Sequence, residues 1–362
     1  MVSKAFVVGE YQRKLEEIAS DPDVELAVIV PPAWRDARGM LRLEQAHTRG
    51  YCLMVEPIRF NGEFHLHYYP TLARRAAEFK PDIVHIDEEP YNLAAYHALR
   101  IARGLGAKSL FFSWQNINRR YPLPFALMER WVLEHVDYGI AGTEEAAGVW
   151  RAKGYRGPLA VIPQFGVDPE IFKPGERRQD DHFVIGYAGR LVKEKGLDLV
   201  IRAALTLPGR WLIRLAGDGP ERERLAGLAG ILNVGGSLEI LGPMSSAAMP
   251  GYYRGLDALV LAARTTPGWK EQFGRVLIEA MACGVPVVGA RSGAIPEVIG
   301  EAGLTFPEGD IEALRECLVS LAEHPRLRAQ LGEAGRARVL ANYTQAQVAA
   351  RTVAVYKEMM GG

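Results

Sequence analysis

Two glutamates flank a turn and a short helix in the second half of the chain. The apolar positions after Gly274 predict a helix that runs into a buried strand. The backbone N–H groups of Gly274, Arg275 and Val276 would lie at the N-terminus of this helix, where unpaired donors and aligned dipoles favour an anion. Glu271 and Glu279 do not bind phosphate, but their carboxylates accept hydrogen bonds from hydroxyls. An anion site beside two hydroxyl acceptors suits a nucleotide sugar.

A second segment places two cations on a loop directly after a predicted strand. In the run from Gly186 to Gly196, Arg190 offers a planar fork of donors and Lys195 a compact charge. Together they could neutralise a pyrophosphate leaving group without a metal ion. The only Asp-x-Asp of the chain begins at Asp21, far from both segments. We therefore predict metal-independent chemistry and no metal site.

The elements that position these residues follow from an alternation of apolar runs with segments of helical period. This alternation is typical of βα units that build parallel sheets covered on both faces. The predicted strands of the first half are residues 24–30, 51–55, 82–87, 109–112, 138–141 and 159–162. Those of the second half are residues 183–187, 211–216, 238–241, 258–261, 285–289 and 304–306. Two Rossmann-like α/β domains are the economical prediction.

A break rich in Pro and Gly separates the two halves. It begins at residues 163–169, and the polar stretch 173–181 reads as an interdomain linker. We predict an N-terminal domain over residues 1–167 and a C-terminal domain over residues 168–344. A chain of 362 residues is long enough for two domains, each with its own core.

Composition excludes several other classes of protein. Lys and Arg number 43, as do Asp and Glu, so the net charge is zero and a nucleic-acid partner is not expected. Cys52, Cys283 and Cys317 lack the spacing of a zinc cluster or a disulfide framework. No run approaches the roughly 18 apolar residues that span a bilayer. We predict a cytoplasmic protein.

Four motifs of the second half resemble the family 4 retaining glycosyltransferases of GT-B fold, also called glycosyl transferases group 1. The motifs are Gly189-Arg190 with Lys195-Gly196, Gly217 to Pro220, Glu271 and Glu279 around Phe273-Gly274, and Gly293 with Pro296-Glu297. The resemblance implies two Rossmann-like domains that face each other across a deep cleft. It also implies no cofactor, and a last segment, residues 345–362, that crosses back to the N-terminal domain as a helix.

The resemblance gives roles to residues of the second half. Arg190 and Lys195 bind the donor diphosphate, Glu271 contacts hydroxyls of the donor sugar, and Glu279 binds the ribose. We count Arg190, Lys195 and Glu271 as catalytic. The donor-binding set comprises Gly9, Gly189, Phe273, Gly274, Arg275, Val276 and Glu279. Taken alone, the two cations would be solvated loop charges, and Glu279 would belong to an exposed helix face.

One strand end of the first half also resembles the family. Residues 82–90 are similar to the segment that faces the acceptor, and they place Asp87, Glu88 and Glu89 on a loop after a strand. The alternative for these three carboxylates is a solvated acidic loop, because clustered like charges usually need water.

Two features that are common in the family are incomplete or replaced in the first half of the chain. Gly9 alone remains of a glycine-rich loop near the donor phosphates, and Gln115 or Asn116 stands where many members have a histidine that touches the donor sugar. These differences keep open a nucleotide-sugar-binding protein that no longer transfers. A GT-B-like sugar-nucleotide epimerase is a further alternative.

The main prediction is an enzyme that moves a sugar, with retention of configuration, from a nucleotide diphosphate donor of UDP or GDP type to a hydroxyl. A glycan, a lipid-linked compound or a small molecule could be the acceptor. A basic cluster with Trp34 contains Arg35, Arg38 and Arg42, but acidic residues such as Asp36 are interleaved with it. We therefore expect at most weak peripheral contact at the inner membrane face.

Overall fold

The computed structural model describes residues 1–36, 39–176 and 181–361. They form two compact units, of which the first joins Met1–Gly166 with the C-terminal segment that begins at Gln345. The second unit is Val167–Thr344. Arg38 of the basic cluster and residues 177–180 of the expected linker lie outside the described residues.

The first unit is built on parallel strands. One pair consists of β1 (Ala27–Val30) and β4 (Cys52–Val55). A four-stranded sheet follows in chain order, with β5 (Ile83–Ile86), β6 (Lys108–Ser113), β7 (Tyr138–Ala141) and β8 (Leu159–Val161). Val2 forms parallel bridges to Ile29 and Ile86 and so links β1 to β5. An antiparallel hairpin of β2 (Ala33–Asp36) and β3 (Gly39–Arg42) lies between β1 and β4 in the chain, and the sequence did not predict it.

Six α-helices complete the described part of this unit. They are α1 (Arg13–Ala19), α2 (Leu72–Phe79), α3 (Leu93–Leu105), α4 (Phe125–His135), α5 (Glu144–Ala152) and the C-terminal helix, named α13 (Gln345–Met360) because the helices α6 to α12 of the second unit precede it in the chain. Helix α3 shows why such segments begin and end where they do. The Asn92 side chain accepts a hydrogen bond from the Ala95 N–H, and Gly106 ends the helix with a φ of 72°.

Helix α13 packs against α1 within the first unit. Its Val348, Val353 and Val355 join a buried cluster that contains Phe6. Thr352 interrupts the apolar stripe in the sequence, yet it is buried, because its hydroxyl donates to the Val348 carbonyl at 2.8 Å. The internal hydrogen bond removes the cost of burying that hydroxyl.

The described residues of the second unit, 167–176 and 181–344, form one parallel sheet of six strands. Its spatial order is β11-β10-β9-β12-β13-β14, which is the order 3-2-1-4-5-6 of a Rossmann fold. The strands are β9 (His182–Ala188), β10 (Arg210–Ala216), β11 (Leu238–Gly242), β12 (Ala258–Leu261), β13 (Val287–Ala290) and β14 (Leu304–Phe306). The helices are α6 (Leu197–Ala204), α7 (Arg222–Ile231), α8 (Met249–Arg254), α9 (Arg275–Ala282), α10 (Ile295–Ile299), α11 (Ile311–Glu323) and α12 (Pro325–Asn342). The prediction of two Rossmann-like α/β domains is confirmed.

Candidate functional site

The strand order of the second unit points to one edge of its sheet. Strands β9 and β12 are neighbours, and the direction of winding reverses between them. Ligands of open α/β sheets bind outside the carboxyl ends of the strands at such a reversal. The loops that follow β9 and β12 enclose a cavity of about 320 Å³ there. Its lining includes Arg190, Lys195, Trp269, Lys270, Glu271 and Arg275.

Lys195 reaches this cavity from a 3-10 turn, Lys193–Lys195, that ends at Gly196. A Cβ on Gly196 would lie 2.1 Å from the Ala262 carbonyl oxygen, so only glycine lets the turn approach the end of β12. The Lys195 Nζ lies 2.5 Å from Glu271 Oε2 and 4.7 Å from the centroid of the Trp269 ring. An ion pair and a cation–π contact therefore hold the ammonium in place.

Arg190 has a fixed backbone and an exposed side chain. The buried Tyr187 hydroxyl donates to the Arg190 carbonyl at 2.8 Å. Burial raises the pKa of Tyr187 well above its usual value, so the phenol stays protonated and remains a donor. Gly189, with a φ of 137°, makes the turn between the two. The guanidinium can therefore move to meet a ligand while its point of attachment does not.

Helix α9 begins at the same cavity, with Gly274 as its N-cap at a φ of 77°. Gly274, Arg275 and Val276 all line the cavity. The N–H groups in the first turn of a helix have no acceptor within the helix. This arrangement supplies donors and a positive dipole end where an anion would sit.

The backbone of Glu271 is fixed by the loop after β13. The Glu271 carbonyl accepts a hydrogen bond from the Ala294 N–H at 3.1 Å. A Cβ on Gly293 would lie 2.0 Å from that carbonyl oxygen, which explains why glycine stands at this position. These contacts fix the Glu271 backbone, and the ion pair with Lys195 holds its side chain.

Glu279 is buried, so the exposed-face interpretation of this residue is wrong. Its Oε2 accepts a hydrogen bond of 2.6 Å from the Tyr253 hydroxyl, and its Oε1 lies 2.7 Å from Nε of Arg275. Phe273 is also buried, and its ring packs edge-on against Tyr343, with 5.8 Å between the ring centroids. The Phe273 ring thereby braces the loop that carries Glu271.

The three carboxylates after β5 belong to the first unit, and all are buried. The solvated-loop interpretation of Asp87, Glu88 and Glu89 is therefore wrong. Asp87 Oδ2 accepts hydrogen bonds from the Ser3 hydroxyl at 2.5 Å and the Gln164 amide at 2.8 Å. Burial raises the pKa of Asp87 above its usual value.

Glu88 and Glu89 are held in opposite electrostatic environments. Burial opposes the charge of Glu88, but Lys4 and His67 outweigh it and lower its pKa to about 2. The Lys4 ammonium donates to Glu88, and His67 Nε2 lies 3.2 Å from Glu88 Oε1. Burial raises the pKa of Glu89 to about 7, although Ser113 and the Trp114 N–H donate to it. Glu88 is thus fixed as an anion, and Glu89 titrates near neutrality.

The remaining predicted residues also lie in the first unit. The Gln115 amide donates to the Ile117 carbonyl at 3.0 Å, and the Asn116 amide donates to Glu145 at 3.1 Å. The Gly9 N–H donates to Glu44 Oε2 at 2.7 Å. The N–H of Gly9, which the resemblance places near the donor phosphates, is thus already hydrogen-bonded to a carboxylate.

Sequence reasoning missed three residues of the second-unit site. Trp269 and Lys270 directly precede Glu271, so their position in the turn was an available signal. Tyr253 offered none, because an aromatic residue on a short apolar helix is typical of a core position. Its role depends on the packing of α8 against α9.

The described part of the chain contains neither a metal-binding cluster nor a membrane-spanning helix. In residues 1–36, 39–176 and 181–361, no group of three or more His, Cys, Asp or Glu is arranged to hold a metal ion. Within the same ranges, none of the helices combines the length and the apolar character that a membrane span needs.

Two family models match the chain. The model described as Glycosyl transferases group 1 matches residues 168–338, and the model described as Glycosyltransferase Family 4 matches residues 23–171. D-inositol 3-phosphate glycosyltransferases of Mycobacterium tuberculosis H37Rv and Mycobacterium bovis AF2122/97 are 30% identical over 289 residues, which are 74% of this chain and 53% of each relative. The chain thus spans about half the length of the curated relatives it matches.

Solved structures resemble the whole chain. HepE of Anabaena in complex with UDP has a TM-score of 0.77 at 18% identity, covering 99% of this chain and 98% of that one. Sucrose-phosphate synthase from Thermosynechococcus elongatus has a TM-score of 0.72 at 19% identity, covering 97% and 93%. At such identities the likeness shows the fold.

Proposed function

The chain belongs to the family 4 glycosyltransferases, or glycosyl transferases group 1, with a GT-B fold, and we propose that it transfers a sugar from a nucleoside diphosphate to an acceptor hydroxyl. One observation carries this proposal. At the reversal of the second-unit sheet, a single cavity combines Arg190, Lys195, the N-terminus of α9 and the carboxylate of Glu271. The charges suit a diphosphate, and the carboxylate suits the hydroxyls of a sugar.

The cations act on the leaving group in this mechanism. As the bond between the anomeric carbon and the diphosphate oxygen breaks, negative charge grows on that oxygen. Arg190, Lys195 and the N–H groups of α9 stabilise the growing charge. Since these groups supply the positive charge themselves, we propose a reaction that needs no metal ion.

The acceptor attacks from the face that the diphosphate leaves, so the product retains the anomeric configuration of the donor. The acceptor oxygen forms its bond to the anomeric carbon while its proton passes to the departing diphosphate oxygen. Glu271 accepts hydrogen bonds from the donor sugar, and its ion pair with Lys195 links the sugar end of the site to the diphosphate end. Glu279 accepts from the ribose.

The nature of donor and acceptor is also part of the proposal. The neighbouring HepE structures contain UDP and glucose, which supports a donor of UDP type, with GDP type as the other choice. Because the mycobacterial relatives are D-inositol 3-phosphate glycosyltransferases, a phosphorylated cyclitol is an acceptor worth testing beside glycans, lipid-linked compounds and other small molecules.

A second candidate is a protein that binds a nucleotide sugar without transferring it. The observation that favours it is the Gly9 N–H, which is paired with Glu44. Before the Gly9 N–H could bind a phosphate, its hydrogen bond to the Glu44 carboxylate would have to break. The carboxylate and the phosphate would also repel each other, because both are anions.

Donor hydrolysis separates the candidates. The purified chain is incubated with a panel of UDP- and GDP-sugars, and products are followed by proton NMR, which reports the anomer. We expect slow release of free sugar with its configuration retained, and faster consumption when the right acceptor is added. Binding without any product would support the second candidate, and a new epimer of the nucleotide sugar would support an epimerase instead.

A further inference from the structure

Both oxygens of the Glu279 carboxylate are held by groups on different elements. Tyr253, fully buried on α8, donates its hydroxyl to Oε2 at 2.6 Å. Arg275, one turn earlier on α9, places its Nε 2.7 Å from Oε1. A carboxylate held at each oxygen cannot rotate freely about its last side-chain bond. The plane of the carboxylate is therefore set before any ligand arrives.

The hydrogen bond from the Tyr253 hydroxyl to Glu279 is of a strong type. A hydroxyl that donates to an ionised carboxylate forms a short, charge-assisted hydrogen bond. Burial, with Glu279 beside it, raises the pKa of Tyr253 well above its usual value, so the hydroxyl keeps its proton. A carboxylate offers about four lone-pair positions, so Glu279 in this fixed orientation can also accept from ligand hydroxyls.

We propose that Tyr253 is a positioning residue that orients Glu279 toward the ribose hydroxyls of the donor. The inference rests on the proposed function, in which Glu279 binds the ribose. Tyr253 itself touches no ligand in this scheme. It acts by keeping the acceptor oxygens of Glu279 where the ribose needs them, so that binding does not have to order the side chain.

The neighbouring Tyr252 provides a matched control. It is also buried on α8, but its hydroxyl lies 2.7 Å from the Tyr187 carbonyl oxygen and 2.8 Å from that of Arg214, and the two carbonyls share its one proton. Those bonds tie α8 to β9 and β10. Loss of either tyrosine hydroxyl removes a buried hydrogen bond, but only the loss of the Tyr253 hydroxyl removes a contact that orients Glu279.

The test compares ligands within each variant. UDP, GDP and their 2′,3′-dideoxy forms are titrated calorimetrically into the wild type, Tyr253→Phe and Tyr252→Phe. We expect the wild type to prefer the ribonucleotide over its dideoxy form, and Tyr253→Phe to lose about tenfold of that preference, the loss typical of a hydrogen bond to a charged group. Tyr252→Phe should keep the preference. A general loosening of the fold would weaken the binding of the ribonucleotide and of its dideoxy form equally. That effect therefore cancels in the ratio of the two affinities.

The outcomes of this experiment test the role of Tyr253 separately from the proposed function. A Tyr253→Phe variant that keeps the full preference for ribose overturns the inference and leaves the proposed function standing. Equal loss of the preference in both variants also overturns it, because the effect would then belong to the packing of α8. A wild type without any preference removes the ribose role of Glu279, and a wild type that binds neither nucleotide overturns the proposed function itself.

Discussion

Replacing Lys195 by alanine removes the cation that lies between Glu271 and the Trp269 ring. In the proposed mechanism the ammonium stabilises charge that develops on the leaving oxygen, so its loss should act more on the transition state than on the bound donor. Loss of one such fixed donor or charge typically lowers kcat by about 10²-fold or more. We expect a decrease of that order in the kcat of donor hydrolysis or transfer.

The same change leaves Glu271 without its closest cation. The side chains of Lys195 and Glu271 are 18% and 11% exposed, and their atoms lie 2.5 Å apart. Loss of a charge-assisted hydrogen bond at such a site costs about 1.5–3 kcal/mol of unfolding free energy. For a unit of this size, each kcal/mol lowers Tm by about 2–4 °C. A lower Tm is therefore expected together with the slower turnover.

Two further variants separate stability from catalysis. Lys193→Ala removes an exposed cation from the same 3-10 turn and should leave kcat and Tm near the wild-type values. Lys195→Ala combined with Glu271→Gln removes the uncompensated carboxylate, so Tm should recover while kcat stays low. The assay is steady-state kinetics with the best donor from the panel, beside thermal unfolding. A Lys195→Ala enzyme with normal kcat and only a raised KM would refute the role of the cation in the transition state.

Three other outcomes are expected. Because the proposed mechanism has Arg190 and Lys195 supply the charge at the diphosphate, we expect activity to persist in EDTA; complete loss that Mg²⁺ or Mn²⁺ restores would contradict this mechanism. The pKa of Glu88 is lowered from 4.5 to about 2, so its contribution to stability, on the order of 3 kcal/mol, is present above pH 4.5 and lost as the pH falls through about 2. Urea unfolding between pH 6 and 2 should show this loss, and Glu88→Gln should flatten it; an unchanged slope would remove the role of this ion pair. Co-sedimentation with anionic vesicles should be weak and abolished by salt, whereas binding that persists at high salt would show a real membrane contact.

The strands could be predicted because parallel strands are buried on both faces. Such strands appear in a sequence as continuous apolar runs, as at Ala27–Val30, which is buried along its whole length. Each predicted strand has its counterpart within a few residues. The hairpin of β2 and β3 could not be found in this way, because β3 is mostly exposed and contains no such run. Its two strands pair with each other rather than with the core sheet.

The cavity of the second unit was predictable for a related reason. Its charged residues lie on the two loops next to β9 and β12, so chain order and strand order together bring them to one edge. Tyr253 could not be found, because its partner Glu279 lies on another helix and nothing in either local sequence marks the pair. Contacts of this kind depend on how helices pack, which periodicity does not specify.

The acidic loop of the first unit shows the same limit in its electrostatics. Three consecutive carboxylates predict solvation when only their neighbours in the chain are considered. The fold instead brings Lys4 and His67 to Glu88, and Ser3 to Asp87, from positions far away in the sequence. Because these partners lie within the same unit, they hold the loop after β5 in place as part of the domain. The contacts of Asp87 and Glu88 therefore hold the end of β5 in place, whereas their place on the acceptor side stays a prediction.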